Sequence, residues 1–340
     1  MLEKVFESLY YKVFVNIVQK RASTLVYVEL YSKKGIVQNA HEEFDTLTPN
    51  ESMIEFIENF TKESPYYYIA VLDMSHVQGA LPTCDKNRLS YYEDLSGAEY
   101  KCYDKKWTYY TLKSELYEIE KTYKPFGVDF IFSPFTLLAT FFKDKITQNL
   151  ALYALVQDSF VSIAVFENSQ LLFAEHLDLQ TGDDAEDILL HETLDDDLDM
   201  DLEDDGIDLE NLDVEEHDEN LEDFGDIEDL DSLEDIDEFS DNKDIEEELL
   251  ESDTPLDESN EGEFNEDYQR FSLIQTSIAH YYKDDRYESK FIENIYIADS
   301  IGVSSDLKRY LEEEMFLNVY IRQADITAEV CELTKEELGL

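Results

Sequence analysis

The sequence predicts an α/β protein built from two duplicated halves with one long insertion. Each half shows a meander of strands followed by helix, strand and helix, so the order βββαβα occurs twice. The 340 residues include 23 Tyr and 20 Phe, which supply apolar area for a sizeable core. An acidic segment, residues 183–263, interrupts the second half. We therefore expect a bilobed fold whose second lobe carries an insertion.

The first half is expected over residues 1–148. Short β-branched or aromatic runs separated by turn residues predict its strands, and apolar residues spaced three and four apart predict its helices. In chain order these are strands 12–18, 24–31 and 36–44, a helix through Met53 and Phe60, a strand 66–74, a helix from Leu112 to Tyr123, a strand 128–132 and a helix from Ser133 to about residue 145.

The second half is expected over residues 149–182 and 264–340. The same patterns recur there in the same order. In chain order they are strands 151–157, 161–166 and 171–177, a helix with Phe271, Ile274, Ile278 and Tyr281 on one face, a strand 292–299, a helix from Ser304 or Ser305 to Met315 and a strand 317–321.

Three segments carry a resemblance to the actin-like superfamily. They are GVDFIFSPFTLLATFF (127–142), VQDSFVSIAVFENSQLLFAEHLD (156–178), and the helix, strand and capped helix between residues 268 and 321. Within the superfamily they are similar to PilM-type pilus-assembly proteins and to the cytoplasmic domain of the GspL-type secretion protein. The resemblance implies an actin-like bilobed fold in which two halves face each other across a cleft.

The resemblance also points to positions that hold nucleotide in other members. Those members combine an Asp with glycines in both phosphate hairpins, since backbone amides cradle phosphate only where side chains do not intrude. Here Asp158 is followed by Ser159 and Phe160, and Asp299 and Ser300 stand where the adenosine glycines would lie. Gly302 comes only beyond them. We expect a degenerate site that binds neither ATP nor another cofactor, with Asp158 as a structural turn residue.

The geometry of that cleft can also be anticipated. We expect Asp158 and the turn 298–302 to line opposite walls. Phe160 would place an apolar ring at the phosphate position, and Asp299 would place an unpaired buried carboxylate near the adenosine.

Neither a catalytic group nor a metal site is expected. The six histidines are scattered, and the three cysteines show no metal spacing. Three thiols without an evident pairing, and no charged and apolar leader, favour a reducing cytoplasmic compartment. Residues 201–212 resemble a calcium loop, but Leu212 replaces the bidentate Glu, so calcium binding would be weak.

The acidic segment dominates the charge of the chain. Residues 183–267 contain 43 of the 82 acidic residues and only one basic residue, Lys243. This composition predicts a disordered, removable insertion that docks on a basic protein partner. The net charge of −56 disfavours direct binding to nucleic acid or anionic lipid.

The resemblance favours a non-catalytic cytoplasmic scaffold of a type IV pilus or type II secretion-like assembly platform. Such a scaffold would bind the tail of an inner-membrane assembly protein in a groove of its first half, and it would contact the motor ATPase. Membrane association would then be indirect. Two alternatives remain: an actin-like ATPase or kinase with a divergent nucleotide site, and an acidic interaction protein that acts through the insertion.

Overall fold

Among its described residues, the first half contains two sheets and four helices. The structure is a computed structural model that describes residues 10–148, 150–179, 258–303 and 305–340. The elements of this half are β1 (Lys12–Gln19), β2 (Thr24–Ser32), β3 (Gly35–Phe44), α1 (Glu51–Thr61), β4 (Tyr67–Leu72), β5 (Gln78–Leu81), α2 (Lys86–Tyr92), β6 (Ala98–Tyr103), β7 (Trp107–Leu112), α3 (Lys113–Thr122), β8 (Phe130–Phe132) and α4 (Pro134–Phe141).

The second half has five strands and three helices among its described residues. Its elements are β9 (Ala151–Val156), β10 (Phe160–Glu167), β11 (Gln170–Asp178), α5 (Glu258–Lys283), β12 (Asn294–Asp299), α6 (Ser305–Glu313), β13 (Asn318–Gln323) and α7 (Ile326–Glu337). Strand β10 is buried along nearly its whole length because β9 and β11 flank it and helices cover the sheet. Its apolar run therefore lacks the polar alternation of a half-exposed strand.

The two main sheets repeat one topology. Their strand orders are β3-β2-β1-β4-β8 and β11-β10-β9-β12-β13. In each sheet the first two strands of the half pair antiparallel and the first and fourth pair parallel. Strands 24–31 and 161–166 therefore lie in different sheets. The predicted α/β class with duplicated βββαβα halves is confirmed, and the chain has the actin-like architecture that the resemblance implied.

A small third sheet and a terminal helix are additions to the predicted order. Strands β5, β7 and β6 form a separate antiparallel sheet within the first half. Helix α7 follows the last predicted strand, and its N-cap Asp325 accepts a hydrogen bond from the N–H of Ala328 at 3.1 Å. Its apolar positions, Ile326, Val330 and Leu333, have helical spacing, so the signal for this helix was present in the sequence.

The last helix of each half packs on the sheet of the other half. Helix α4 contacts β9 and β10, whereas α7 contacts β1, β2 and β4, and the two helices contact each other. Apolar side chains from both halves consequently form one cluster, which includes Leu72, Leu138, Tyr153 and Val330. The two halves share a core in addition to facing each other across a cleft.

Two cysteines correct an expectation from the sequence. Cys84 and Cys102 form a disulfide with their Cα atoms 5.5 Å apart, and Cys331 is a free, buried thiol. The pairing was not evident because the two residues lie 18 positions apart and meet only through the small third sheet. Because two of the three thiols are paired, the cysteines no longer favour a reducing compartment.

Two further expectations bear on the long segment and on membranes. Residues 183–257, which include the calcium-like loop 201–212, lie outside the described residues, and α5 begins at Glu258 within the predicted insertion. Among the described residues, no helix is long and apolar enough to cross a membrane.

Candidate functional site

The cleft is bridged where the two equivalent hairpin turns meet. Residues 20–23 join β1 to β2 in the first half, and residues 157–159 join β9 to β10 in the second. The backbone N–H of Arg21 donates to Asp158 Oδ2 at 2.6 Å, and Arg21 Nη2 donates to the carbonyl oxygen of Asp158 at 2.5 Å. Asp158 therefore faces the first half, and its turn is held directly against the opposite turn.

A charged network extends this bridge into helix α5. Arg21 Nη1 lies 2.8 Å from Glu266 Oε1, and Arg270 Nη2 lies 2.8 Å from Glu266 Oε2. Arg270 also pairs at 2.9 Å with Asp267, and both side chains are almost fully buried. Partial burial raises the pKa of Glu266, but the hydrogen bonds from Arg21 and Arg270 outweigh it and lower that pKa below its usual range. Glu266 is thus held as a carboxylate between two guanidinium groups.

Asp299 is buried but fully partnered, which corrects the expectation of an unpaired carboxylate. Its Oδ1 accepts hydrogen bonds from the backbone N–H groups of Ile301 and Gly302 at 3.0 and 2.8 Å. Its Oδ2 accepts from the N–H of Val303 at 3.1 Å and from Gln323 Nε2 at 2.7 Å. The carboxylate shapes the turn after β12, and Gly302 supplies the positive φ, +80°, that this turn requires.

Asp158 and the 298–302 turn lie on the same half, so the expectation of opposite walls is wrong. The hydroxyl of Ser300 donates to the carbonyl oxygen of Val156 at 2.8 Å, two residues before Asp158. Strands β9 and β12 are adjacent and parallel, and their carboxyl ends therefore meet at one edge of the sheet. The wall that faces Asp158 is formed by Arg21.

The ring of Phe160 is buried between two histidines instead of occupying an open pocket. It stacks on His176 with centroids 4.7 Å apart and meets the edge of His76 at 5.4 Å. His76 belongs to the loop after β4 in the first half, and its Nδ1 lies 2.9 Å from Asp178 Oδ2 in the second. Next to this contact, Gln157 Nε2 donates to Met74 Sδ at 3.3 Å. Side chains from both halves thus fill this part of the cleft.

Sequence reasoning missed Arg21, although a signal for it existed. The duplication makes the turns 20–23 and 157–159 equivalent, so a residue facing Asp158 could have been sought in the first turn. The glycines expected of a phosphate cradle are missing from both turns. Within the described ranges, no group of three His, Cys, Asp or Glu side chains is arranged to hold a metal ion.

A separate groove lies in the first half, between the small third sheet and the edge of the main sheet. We call it the first-half groove; its cavity volume is about 260 Å³. Its lining residues are Asp73, Glu99, Tyr100, Lys101, Tyr109, Thr111, Leu116, Glu120, Val128, Asp129, Ile131 and Ser133. Among the described residues of this lining, Lys101 is the one basic side chain, and it pairs with Glu337 at 3.0 Å. The groove therefore combines apolar and aromatic walls with an excess of carboxylates.

Asp73 lies deepest among the carboxylates of this groove. Its Oδ1 accepts from the backbone N–H of Ser75 at 3.0 Å, and its Oδ2 accepts from Thr111 Oγ1 at 2.6 Å. Burial raises the pKa of Asp73, and these hydrogen bonds counter part of that rise. Because Thr111 lies on β7, Asp73 also ties the main sheet to the small third sheet.

Two family models match the chain, and both describe domains of unknown function. DUF8341 matches residues 152–339, and DUF8569 matches residues 10–139. The two matches divide the chain close to the boundary between the halves. No curated protein matches it.

Solved structures with a similar fold have low sequence identity. A Bacteroides thetaiotaomicron protein with an actin-like ATPase fold and unknown function is 12% identical, covers 96% of both chains and has a TM-score of 0.43. A PilM-PilN type IV pilus biogenesis complex gives 9% identity, 91% and 87% coverage and a TM-score of 0.48. MreB 5 of Spiroplasma citri bound to AMPPNP gives 9% identity, 96% and 97% coverage and a TM-score of 0.42.

Proposed function

This chain belongs to the family of the domain of unknown function DUF8341, and we propose that it is a non-catalytic scaffold that acts by binding other proteins. The bridge between Arg21 and Asp158 supports this proposal. It places side-chain and backbone groups between the two turns, where nucleotide-using actin-like proteins hold phosphate. Asp158 already accepts a main-chain N–H, so opening this space for a nucleotide would require breaking contacts between the halves.

The finer proposal is a cytoplasmic scaffold of a type IV pilus or type II secretion-like assembly platform. The tail of an inner-membrane assembly protein would bind in the first-half groove, and the motor ATPase of the machine would contact the same scaffold. Any association with the membrane would occur through these partners. The acidic segment would dock on a basic protein partner, as its composition suggests.

The charge of the first-half groove narrows the chemistry of the tail. Glu99, Glu120 and Asp129 are exposed along it, and Tyr100 and Leu116 supply apolar contact area. A tail with Lys or Arg interspersed among apolar residues would satisfy both features. An acidic tail would be repelled by the like charge of the groove. A polar tail without apolar residues would leave the apolar wall uncovered.

Nucleotide titration tests the non-catalytic part of the proposal. Calorimetry with Mg²⁺-ATP, beside an assay of phosphate release, should show neither saturable binding nor turnover. Saturable binding tighter than about 100 μM, roughly −5.5 kcal/mol, that is abolished by Asp158→Ala would instead support the actin-like ATPase or kinase.

A defined peptide tests the groove. A labelled peptide that alternates arginine with leucine should bind the full chain, and Glu99→Gln with Glu120→Gln should weaken that binding by about tenfold or more. Glu118→Gln is the matched control, because Glu118 lies on the same helix as Glu120 but pairs with Lys121 outside the groove. Equal weakening by the control, or full binding by the groove variant, would contradict the proposed site. Peptide binding that requires only the acidic segment would favour the alternative hypothesis of an acidic interaction protein that acts through the insertion.

A further inference from the structure

A basic and apolar surface lies at the start of the first half. Tyr10 and Tyr11 precede β1, the turn between β2 and β3 adds the exposed Lys33 and Lys34, and the start of β3 adds the exposed Ile36 and Val37. We call this surface the basic patch; it consists of Tyr10, Tyr11, Lys33, Lys34, Ile36 and Val37. These residues line a cavity of about 460 Å³. The two adjacent lysines give this surface a local positive charge in a chain with 82 acidic and 26 basic side chains.

An acidic and aromatic surface lies on the second half. Phe291 precedes β12 and is 77% exposed, and Phe316 precedes β13 and is 86% exposed. The two strands are parallel neighbours, and the N–H of Asn318 donates to the carbonyl oxygen of Glu293 at 2.8 Å, so the two rings stand at one edge of the sheet. Glu313 and Glu314 are exposed beside Phe316. We call Phe291, Glu313, Glu314 and Phe316 the acidic knob.

Two local rules are broken within the acidic knob. Phe316 follows helix α6 and has a φ of +55°, in the left-handed region that favours glycine, and the N–H of Leu317 donates to the carbonyl oxygen of Leu311 at 3.2 Å. Residues 312–314 are three consecutive glutamates at the carboxyl end of α6, where the helix dipole favours cations. A bulky residue in the left-handed region, large exposed rings and unfavourable charges at one place indicate a binding surface.

We propose that the acidic knob of one molecule docks into the basic patch of a second copy of this chain. The exposed phenylalanines would enter the cavity beside Tyr10 and Tyr11, and Lys33 and Lys34 would meet Glu313 and Glu314. Since each molecule carries both surfaces, two copies related by a twofold axis would form the contact twice. The inference concerns self-association and is independent of the proposed scaffold role.

The overall charge sets the conditions under which this contact forms. Two chains of net charge −56 repel each other at long range. At about 0.15 M salt the screening length is about 8 Å, so the long-range repulsion falls while charges in direct contact remain coupled. Association should therefore be measured at that ionic strength.

A charge exchange tests the pairing of the two surfaces. Sedimentation of the full chain should show reversible, concentration-dependent association. Lys33→Glu with Lys34→Glu, or Glu313→Lys with Glu314→Lys, should weaken it at least about tenfold, and the four changes together should restore it. Lys105→Glu with Lys106→Glu, which alters another adjacent lysine pair in a hairpin turn, should leave association unchanged. A chain that stays monomeric to roughly 1 mM, or one whose association the combined variant does not restore, overturns the proposal.

Relief of the backbone strain provides a second test that misfolding cannot imitate. Phe316→Gly removes the ring and suits the left-handed position, so it should raise the midpoint of thermal unfolding while weakening association at least about tenfold. An unchanged association with raised stability would show that the ring does not dock and would overturn the proposed knob.

Discussion

At the scale of single residues, the contact of Arg21 with Asp158 joins the two hairpin turns across the cleft. One bond comes from the backbone N–H of Arg21 and the other from its guanidinium, so Arg21 is held through both main chain and side chain. Asp158 also uses both its carboxylate and its carbonyl oxygen. A glycine at position 21 would keep the first bond but lose the second and the link to Glu266. The side chain therefore completes the closure.

His176 stacks on Phe160 in the cleft, and we expect it to make the stability of the chain depend on pH. Its ring stacks on Phe160, and its Nδ1 lies 2.8 Å from Ser162 Oγ in the core of the second half. Burial, with a smaller contribution from the nearby His76, lowers the pKa of His176 from 6.5 to about 4. The folded chain therefore keeps this imidazole neutral at a pH where the unfolded chain protonates it.

The stability of the chain should fall on mild acidification because of His176. The folded-state pKa is depressed, so the stabilisation is present above the unfolded value of 6.5 and is lost as the pH falls towards about 4. Chemical denaturation should show a loss of about 2 kcal/mol between about pH 7.5 and pH 5, which His176→Phe removes. His280→Gln, which changes an exposed histidine, should retain that pH dependence. An unaltered slope in the His176 variant would contradict the assignment.

At the scale of elements, helix α7 is anchored to the first sheet by a buried ion pair. Lys335 Nζ lies 3.0 Å from Glu29 Oε1 on β2, and the two side chains are 8% and 2% exposed. Burial by itself lowers the pKa of Lys335, but hydrogen bonds to Glu332 and Glu29 outweigh it and raise the pKa. The hydroxyl of Tyr27 donates to the second oxygen of Glu29 at 3.1 Å. The carboxylate is thus satisfied only when α7 is docked.

Removing the lysine should leave an uncompensated buried carboxylate. We expect Lys335→Met to lower the free energy of unfolding by about 3 kcal/mol, measured by urea denaturation. Adding Glu29→Leu should recover much of that loss, because both charges are then absent. Lys308→Met breaks an exposed pair with Glu312 on α6 and should change stability by less than about 0.5 kcal/mol. Equal losses in the two lysine variants would show that the α7 pair is not a buried anchor.

At the scale of the whole molecule, helices α4 and α7 join the halves into one folding unit, because each packs on the sheet of the other half. Helix α4 follows the first sheet along the chain but packs on the second, and α7 follows the second sheet but packs on the first. Side chains of α4, such as Phe135 and Leu138, are fully buried in the shared cluster. Neither sheet can therefore keep its apolar cover if the other half unfolds.

Unfolding of the described halves should be cooperative. Differential scanning calorimetry should give one transition whose van't Hoff enthalpy equals the calorimetric enthalpy. Leu138→Ala, at the centre of the shared cluster, should lower the free energy of unfolding by about 2–5 kcal/mol. The single transition should move to a lower temperature without splitting. Two resolved transitions, with only one shifted by Leu138→Ala, would show that the halves unfold separately.

The sequence by itself determined the features that depend on local periodicity. Alternating apolar runs and helical spacing predicted the strands and helices of both halves, and their repeated order predicted the duplication. The small third sheet was missed because β5 has only four residues and β6 is exposed along most of its length, so neither strand shows an alternating apolar pattern.

Only the tertiary structure decided which side chains meet across the chain. Arg21 and Asp158 are 137 positions apart, and Lys335 and Glu29 are 306 positions apart, so no local pattern connects them. The sequence predicted an unpaired carboxylate at Asp299. Its partners are backbone amides of the following turn and Gln323 on the neighbouring strand, and only the folded chain brings them together. Hydrogen bonds form between groups that are close in space, and the bridge across the cleft follows from how the two halves pack.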